Sequence, residues 1–163
     1  MRRSDREVKE RKGIEDIILR CKTCHVAMAD GGLPYVVPLS FGYGFINDCT
    51  LELYFHSATE GKKLEILKRN NRVCFEISDE GTPVSAETPC DSGYYFSSVI
   101  GYGEVVFMED ASEKCEGLSI IVRHQTGKSV NFDSSQVKNV CVYKIVSTEF
   151  SGKQKPVPAS DEE

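Results

Sequence analysis

Short strand-like segments separated by turns run through most of this sequence, and this pattern restricts the fold more than any other feature. Runs such as Leu51-Glu52-Leu53-Tyr54-Phe55 alternate apolar with polar residues, which is typical of strands with one buried face. Clusters such as Asp30-Gly31-Gly32 indicate tight hairpins between strands. Six strands are predicted, over residues 24–29, 34–43, 49–56, 72–78, 94–109 and 140–150.

Three short helices are predicted to interrupt the strands. Isoleucines at 14, 17 and 18 have helical spacing, and the helices are expected over residues 13–22, 61–70 and 111–125. Six mostly antiparallel strands with three short helices indicate a mainly β protein, in which a small β-barrel carries the helices on its outside. Pro38 cannot donate to a ladder, so the second strand is expected to be an edge, a bulge or a ligand wall.

The chain is long enough for one domain with a proper core. Residues 13–150 are predicted to form that domain, and the long loop at 79–93 has the length of many functional loops. Residues 1–12 are predicted to be a charged, solvated arm, because acidic residues interleave with its basic ones. Residues 151–163 have nothing to bury and are predicted to be disordered.

Charge and hydropathy narrow the class of function. A formal net charge of −5 argues against a general nucleic-acid surface. No apolar run approaches the ~18 residues of a membrane span, and no apolar segment follows the charged N-terminus as in a secretory signal, so a cytoplasmic protein is expected.

The cysteines point to buried thiols and not to a metal centre. Seven cysteines, an odd number, suit reduced thiols in the cytoplasm. The pair Cys21 and Cys24 has no second pair to complete a four-ligand zinc site. It also follows a helix and does not begin one, which disfavours a redox thiolate. No metal site is predicted.

The segment Phe55-His56-Ser57-Ala58-Thr59-Glu60-Gly61-Lys62-Lys63 joins a strand to a helix that begins with two lysines. Cations are mildly unfavourable at the positive end of a helix. Free N–H groups of the first turn, hydroxyls and two ammonium groups would together suit a phosphate. A solvent-facing helix start capped by Ser57 or Thr59 is the alternative, because no glycine-rich P-loop pattern accompanies the lysines.

Three segments in this order, PYVVPLSFGY, LYFHSATEGKKLEILKRNNRVCFEI and SSVIGYGEVVFMED, resemble the pyridoxamine 5′-phosphate oxidase-like flavoproteins. More narrowly, they resemble the Nim-type branch linked to 5-nitroimidazole resistance. The resemblance covers roughly residues 1–153. It implies a six-stranded antiparallel split β-barrel that forms a homodimer with FMN at the dimer interface.

The resemblance also implies which residues hold the flavin. Ser57, Gly61, Lys62 and Lys63 fall where the family holds the flavin phosphate. The strand segment Val36, Val37, Pro38, Leu39 and Ser40 falls where the family lines the isoalloxazine ring. Phe96 and Ser97 match a strand near the flavin, often from the other subunit. His56, beside the phosphate segment, is a candidate flavin contact and proton donor, or a structural histidine.

The function implied is a flavin-dependent oxidoreductase that takes electrons from NADH or NADPH and reduces a small acceptor, such as a nitroaromatic. The chain departs from the Nim-type pattern in two places. It has no tryptophan after Cys90-Asp91, and it has Ser97 where a basic residue is common. The Arg-x-His of pyridoxamine 5′-phosphate oxidase is missing, because the last arginine is Arg123. A flavin-binding module without turnover and a haem-binding relative remain alternatives.

Overall fold

The fold comes from a computed structural model, which describes residues 3–156 apart from the side chain of Asp91. Its helices are α1 (Arg11–Arg20), α2 (Lys62–Arg69) and α3 (Ala111–Thr126). Its strands are β1 (Glu7–Val8), β2 (Thr23–Asp30), β3 (Leu33–Ser40), β4 (Gly42–Asn47), β5 (Thr50–Ser57), β6 (Arg72–Ser78), β7 (Thr82–Val84), β8 (Gly93–Met108) and β9 (Cys141–Lys155). Single 3-10 turns occur at Ser4–Arg6 and Pro89–Asp91.

Seven strands form one antiparallel path in the order β3-β2-β6-β8-β9-β5-β4. The short β1 pairs with β9, and β7 pairs with β8. The mainly β class and the split barrel are therefore confirmed, with more than the six strands predicted. The strands β3 and β4 lie at the two ends of the path, so β3 is an edge strand, as Pro38 indicated.

The predicted second strand is in fact two strands. The chain changes direction at the fully buried Phe41, and β4 begins at Gly42. A Cβ at Gly42 would lie 2.7 Å from the backbone nitrogen of Ile121, so only glycine allows α3 to approach β4 this closely. The apolar pattern of residues 34–43 continues through this break, so the pattern alone did not show that two strands are present.

The hairpin at Asp30-Gly31-Gly32 is confirmed. Gly31 and Gly32 have φ values of 59° and 92°, which fit the tight turn between β2 and β3. The bend predicted in the long strand is also confirmed, because the register of β8 against β9 shifts between Tyr102 and Glu104.

Inward-facing apolar side chains of the strands fill the barrel and form its core. Leu51, Leu53 and Phe55 of β5 are fully buried, and the aromatic rings of Phe55 and Tyr143 stack 5.5 Å apart between centroids. A smaller apolar cluster lies where α3 packs against the outside of the barrel, through Ile121, Tyr54 and Val142.

Two predictions about the termini are wrong. Residues 151–155 continue β9 and pair with β8, so the tail is ordered up to this point; residues 157–163 lie outside the described residues. Residues 7–8 pair with residues 152–153, and residues 11–12 belong to α1, so this arm is not simply solvated. Both segments are held by backbone pairing with few buried side chains, which hydropathy cannot reveal.

Candidate functional site

A groove of about 360 Å³ lies where β5 ends, α2 begins and β3 forms a wall. Its lining combines apolar side chains from β3 with the polar start of α2. The lining residues are Tyr35, Val37, Pro38, Leu39, Ser57, Ala58, Glu60, Gly61, Lys62, Lys63 and Leu64. The structure therefore brings the predicted phosphate segment and most of the predicted ring wall to one place.

The start of α2 is open toward an incoming group. Gly61 precedes the helix with φ of 131°, a conformation that favours glycine, and a Cβ there would meet nothing within 4 Å. No side chain caps this helix start, so the alternative of a Ser57 or Thr59 cap is not observed. The Ser57 hydroxyl donates to the Ala58 carbonyl at 2.9 Å instead. The backbone N–H groups of the first turn are left for another acceptor.

Lys62 already has an anionic partner. Its Nζ lies 3.2 Å from Oδ2 of Asp30, and 4.7 Å from the centroid of the Tyr35 ring. The Lys62 side chain is 58% exposed. Its charge is therefore partly neutralised and well solvated in the absence of a ligand.

Lys63 is in a different electrostatic position. It is half-buried, and its Nζ lies 5.6 Å from the centroid of the buried Tyr143 ring. Burial lowers the pKa of Lys63 below its usual value, an effect that Cys141 partly opposes. Among the side chains that the structure describes, which leave out Asp91, no carboxylate lies within 4.0 Å of its Nζ. A half-buried cation without a counter-charge fits a groove that receives an anion.

The β3 wall offers backbone groups as well as side chains. Its only partner among the described strands is β2, so one edge of β3 has unpaired N–H and C=O groups. Tyr35, Val37 and Leu39 are half-buried toward the barrel, with period two. A planar ring with polar edges can lie on such a wall and bond to the strand edge.

Several predicted site residues lie outside the groove. Val36 and Ser40 are on the exposed face of β3. His56 is exposed and points to the face of β5 opposite Phe55 and Ser57, because neighbouring strand residues face opposite sides. His56 therefore does not lie in the groove of its own chain. The structure of one chain gives no support to His56 as a proton donor.

Phe96 and Ser97 also lie elsewhere, at the start of β8. Ser97 is only 2% exposed, and its hydroxyl donates to the Asp79 carboxylate and accepts from Arg20. Its hydroxyl is therefore already bonded within the chain. Two residues at the groove were not predicted from the sequence: Tyr35, which lines it, and Asp30, which pairs with Lys62. Tyr35 shares the period-two spacing of Val37 and could have been found, whereas Asp30 is distant in sequence.

Cys21 and Cys24 are buried thiols, as predicted, but the expectation that the seven cysteines are mostly buried is wrong, because Cys49 and Cys90 are exposed and the other three are only partly buried. Cys21 is 4% exposed and Cys24 is fully buried, and both are free thiols. Burial raises the pKa of Cys21 to about 11 and raises that of Cys24 further, so both stay protonated. Among the described side chains, residues 3–156 without Asp91, no group of three or more histidine, cysteine or acidic side chains is arranged to hold a metal ion. No helix in the described part of the chain has the length and hydrophobicity of a membrane-spanning segment.

The fold and the groove define a class of small split-barrel proteins with a cation-lined groove at the barrel edge. The family model described as pyridoxamine 5′-phosphate oxidase matches residues 10–154, and the chain belongs to that family. It is similar to a candidate 5-nitroimidazole antibiotic resistance protein from Bacteroides thetaiotaomicron, with 38% identity over 90% of this chain and 85% of that chain, at a TM-score of 0.77.

More distant solved structures share the fold. The flavocytochrome Anf3 from Azotobacter vinelandii is 20% identical over 100% of this chain and 75% of that chain, with a TM-score of 0.77. An FAD and haem binding protein from Mycobacterium smegmatis is 17% identical over 96% and 78%, with a TM-score of 0.76. At these identities the likeness shows the fold alone. No curated protein is significantly similar to the chain.

Proposed function

We propose that this protein is an FMN-dependent oxidoreductase that reduces a small acceptor. The observation that carries the proposal is Lys63, a half-buried cation with no carboxylate partner among the described side chains, in a groove beside an open helix start. A flavin phosphate would supply the missing charge. Membership of the pyridoxamine 5′-phosphate oxidase family and similarity to a candidate nitroimidazole resistance protein support the choice of ligand.

The residues of the groove have distinct roles in this proposal. Lys62, Lys63 and the N–H groups after Gly61 would bind the phosphate, and Val37, Pro38 and Leu39 would support the ring. The bound flavin would supply the redox chemistry, accepting electrons from NADH or NADPH and passing them to the substrate. The chain itself would bind and orient the flavin, because the groove residues are apolar side chains and groups suited to holding an anion.

We further propose that the working form is a homodimer. Ile100, Tyr102 and Val106 face outward on β8 with exposed fractions of 46%, 57% and 45%, and Val36 on the edge strand is 53% exposed. Such neighbouring apolar residues are unusual on a surface that meets only water. A second copy of the chain covering them would put Phe96 of one subunit near the flavin of the other, as the family resemblance implies.

The absorption spectrum of the purified, untreated protein tests the function. We expect the bands of an oxidised flavin, which are lost when NADH or NADPH is added without oxygen. Return of the bands on addition of a nitroaromatic would support the enzyme, whereas a flavin inert to both nucleotides would favour a binding module. A haem Soret band in place of flavin, or no chromophore after reconstitution with FMN, would contradict the proposal.

A further inference from the structure

A groove of about 760 Å³ lies between α1, β4 and the C-terminal end of α3. We call it the β4 groove. It shares no lining residue with the flavin groove, and none of the residues that the family resemblance assigns to the flavin lines it. The outward residues of β8 that we place in the dimer contact do not line it either. The β4 groove is therefore built from parts of the fold that the proposed function does not use.

The β4 groove follows one edge of β4. Tyr43, Gly44 and Phe45 are consecutive in this strand, and all three line the groove. Neighbouring strand residues point to opposite faces, so three in a row line one groove when that groove runs along the strand edge. In the described part of the chain, the only strand that pairs with β4 is β5. The N–H and C=O groups on the other edge of β4 therefore face the groove without a strand partner.

This edge lacks the features that usually prevent a strand from pairing with another chain. Edge strands are commonly protected by charged side chains, prolines or bulges. The other end strand, β3, contains Pro34 and Pro38. Residues 42–46 of β4 include neither a proline nor a charged side chain, and the register against β5 becomes irregular only after Phe45. The edge of β4 is thus able to accept a further strand.

One wall of the β4 groove is a face of α1. Arg11, Glu15 and Leu19 line this wall at intervals of four residues, which places them on the same side of the helix. The Arg11 guanidinium carbon lies 4.9 Å from the centroid of the Phe45 ring, so α1 and β4 meet at this end of the groove. Leu19 is 54% exposed at the other end, where it offers an apolar contact to an occupant.

The opposite wall is the last turn of α3, and hydrogen bonds hold it in place. Nε2 of Gln125 donates to the carbonyl oxygens of Phe41 at 2.8 Å and Lys22 at 3.0 Å. Nζ of Lys22 in turn donates to the carbonyl oxygen of His124 at 2.6 Å. These bonds tie the end of α3 to the chain just before β2 and β4. The groove is therefore formed in advance, which lowers the cost of ordering on binding.

The charges of the lining favour an acidic occupant. Three cations, Arg11, Lys22 and Arg123, line the groove against one carboxylate, that of Glu15. Arg11 forms an ion pair with Glu15 at 3.2 Å, so Lys22 and Arg123 represent the excess positive charge. An excess of positive charge in a chain with a formal net charge of −5 complements a negatively charged partner.

We propose that the β4 groove binds an extended acidic peptide segment of another protein, which adds to the free edge of β4 as a further strand. Main-chain hydrogen bonds to the edge supply the affinity, as in other cases of strand addition. Acidic side chains of the segment face Lys22 and Arg123, and apolar ones contact Tyr43 and Leu19. This interaction does not depend on the proposed redox function.

The proposal can be tested by NMR on the full-length protein. The probe is a short acetylated and amidated peptide that alternates glutamate with valine. We expect saturable shifts of the backbone amide signals of Tyr43, Gly44 and Phe45, and no matching shifts for Val37 and Leu39 of the other edge strand. The same peptide with methylated backbone nitrogens should bind about tenfold more weakly or worse, because it cannot donate to the strand edge. A peptide that alternates lysine with valine should not bind.

A pair of variants tests the charge contact. Arg123→Gln should weaken binding of the acidic peptide about 2- to 5-fold at low salt, and Arg123→Lys should largely retain it. Lys138→Gln is the matched control, because Lys138 is an exposed cation that does not line the β4 groove. The chain also carries Asp161, Glu162 and Glu163, so the titration is repeated on D161N/E162Q/E163Q to remove these carboxylates as competitors.

Four outcomes would overturn the proposal. The acidic peptide could bind neither the wild type nor the protein without the competing carboxylates. The methylated peptide could bind as well as the parent peptide, which would leave charge attraction without strand addition. The shifts could fall on β3 in place of β4. Finally, Lys138→Gln could weaken binding as much as Arg123→Gln, which would make the charge effect general and not specific to the groove.

Discussion

Nζ of Lys62 lies 3.2 Å from Oδ2 of Asp30, which ties the first residue of α2 to the last residue of β2. The same carboxylate accepts a hydrogen bond from Arg69 at 2.9 Å, at the other end of the helix. Asp30 therefore holds α2 against the β2–β3 hairpin. It also competes with any phosphate that Lys62 is to bind.

The first prediction concerns this competition. Asp30→Asn should strengthen FMN binding by about 1.5- to 5-fold, because an exposed ion pair worth about 0.2–1 kcal/mol no longer holds Lys62. The gain should shrink at high salt, since exposed charges are screened. A fluorescence titration measures both effects. Riboflavin, which has no phosphate, is the control and should bind both proteins equally; a weaker affinity of Asp30→Asn for FMN would contradict the prediction.

The two lysines of α2 should differ in their contribution. Lys63→Ala is expected to weaken FMN binding by about 10- to 150-fold, the loss of one charge-assisted hydrogen bond of roughly 1.5–3 kcal/mol. Lys62→Ala should cost less, because Lys62 is more exposed and already paired with Asp30. Equal losses, or full FMN affinity in both variants, would mean that burial does not set the strength of the phosphate contact.

Removing Lys63 should also stabilise the flavin-free protein. Burial lowers the pKa of Lys63, so the folded state disfavours its charged form at neutral pH. We expect Lys63→Met to raise the melting temperature of the flavin-free protein by about 1–2 °C. The gain should vanish as the pH rises toward the usual lysine pKa, where the wild-type lysine becomes neutral in both states. Lys62→Met is the control, and a larger gain there would count against this explanation.

The outward face of β8 should determine the oligomeric state. Ile100→Glu is expected to give a monomer in size-exclusion chromatography with light scattering, because a buried unpaired carboxylate would destabilise the interface. Ile46→Glu is the control: Ile46 is also exposed (63%), but it lies near the β4–β5 hairpin. A wild-type monomer that binds FMN stoichiometrically would contradict the proposed placement of the flavin between two subunits.

His56→Asn should leave both flavin affinity and turnover unchanged, because His56 is exposed on the face of β5 that points away from Ser57 and the groove. The measurement is steady-state reduction of a nitroaromatic by the reconstituted protein. A slowing on the order of 10²-fold with intact flavin would restore His56 as a proton donor and would require another subunit to bring it to the flavin.

His124 should make stability depend on pH. It is 8% exposed, its Nε2 donates to the Cys21 carbonyl at 2.8 Å, and burial lowers its pKa from the usual 6.5. The unfolded chain therefore binds a proton more readily than the folded one, so stability falls as the pH drops through about 6.5. Urea unfolding at pH 7.5 and 5.5 should show a larger loss for the wild type than for His124→Gln. His56→Asn is the control and should keep the wild-type loss.

Most of the secondary structure could be predicted from local patterns. The hairpin at Gly31-Gly32 depends on residues that tolerate positive φ, and the helical spacing of Ile14, Ile17 and Ile18 describes one buried face. The candidate phosphate segment could be proposed because two lysines at a helix start are electrostatically unusual. These signals need only neighbouring residues, and the family resemblance depended on the same segments.

Other features depend on contacts between residues far apart in the sequence. The order of residues 151–155 comes from backbone pairing with β8, and polar side chains give no sign of it. Asp30 reaches Lys62 only after β2 and α2 are packed together. The difference between Lys62 and Lys63 is a difference in burial, which adjacent residues of the same type cannot reveal. Local patterns were enough to predict the three helices, most of the strands and a candidate phosphate segment. Which charges are paired follows from the tertiary structure, because pairing and desolvation depend on distances in space.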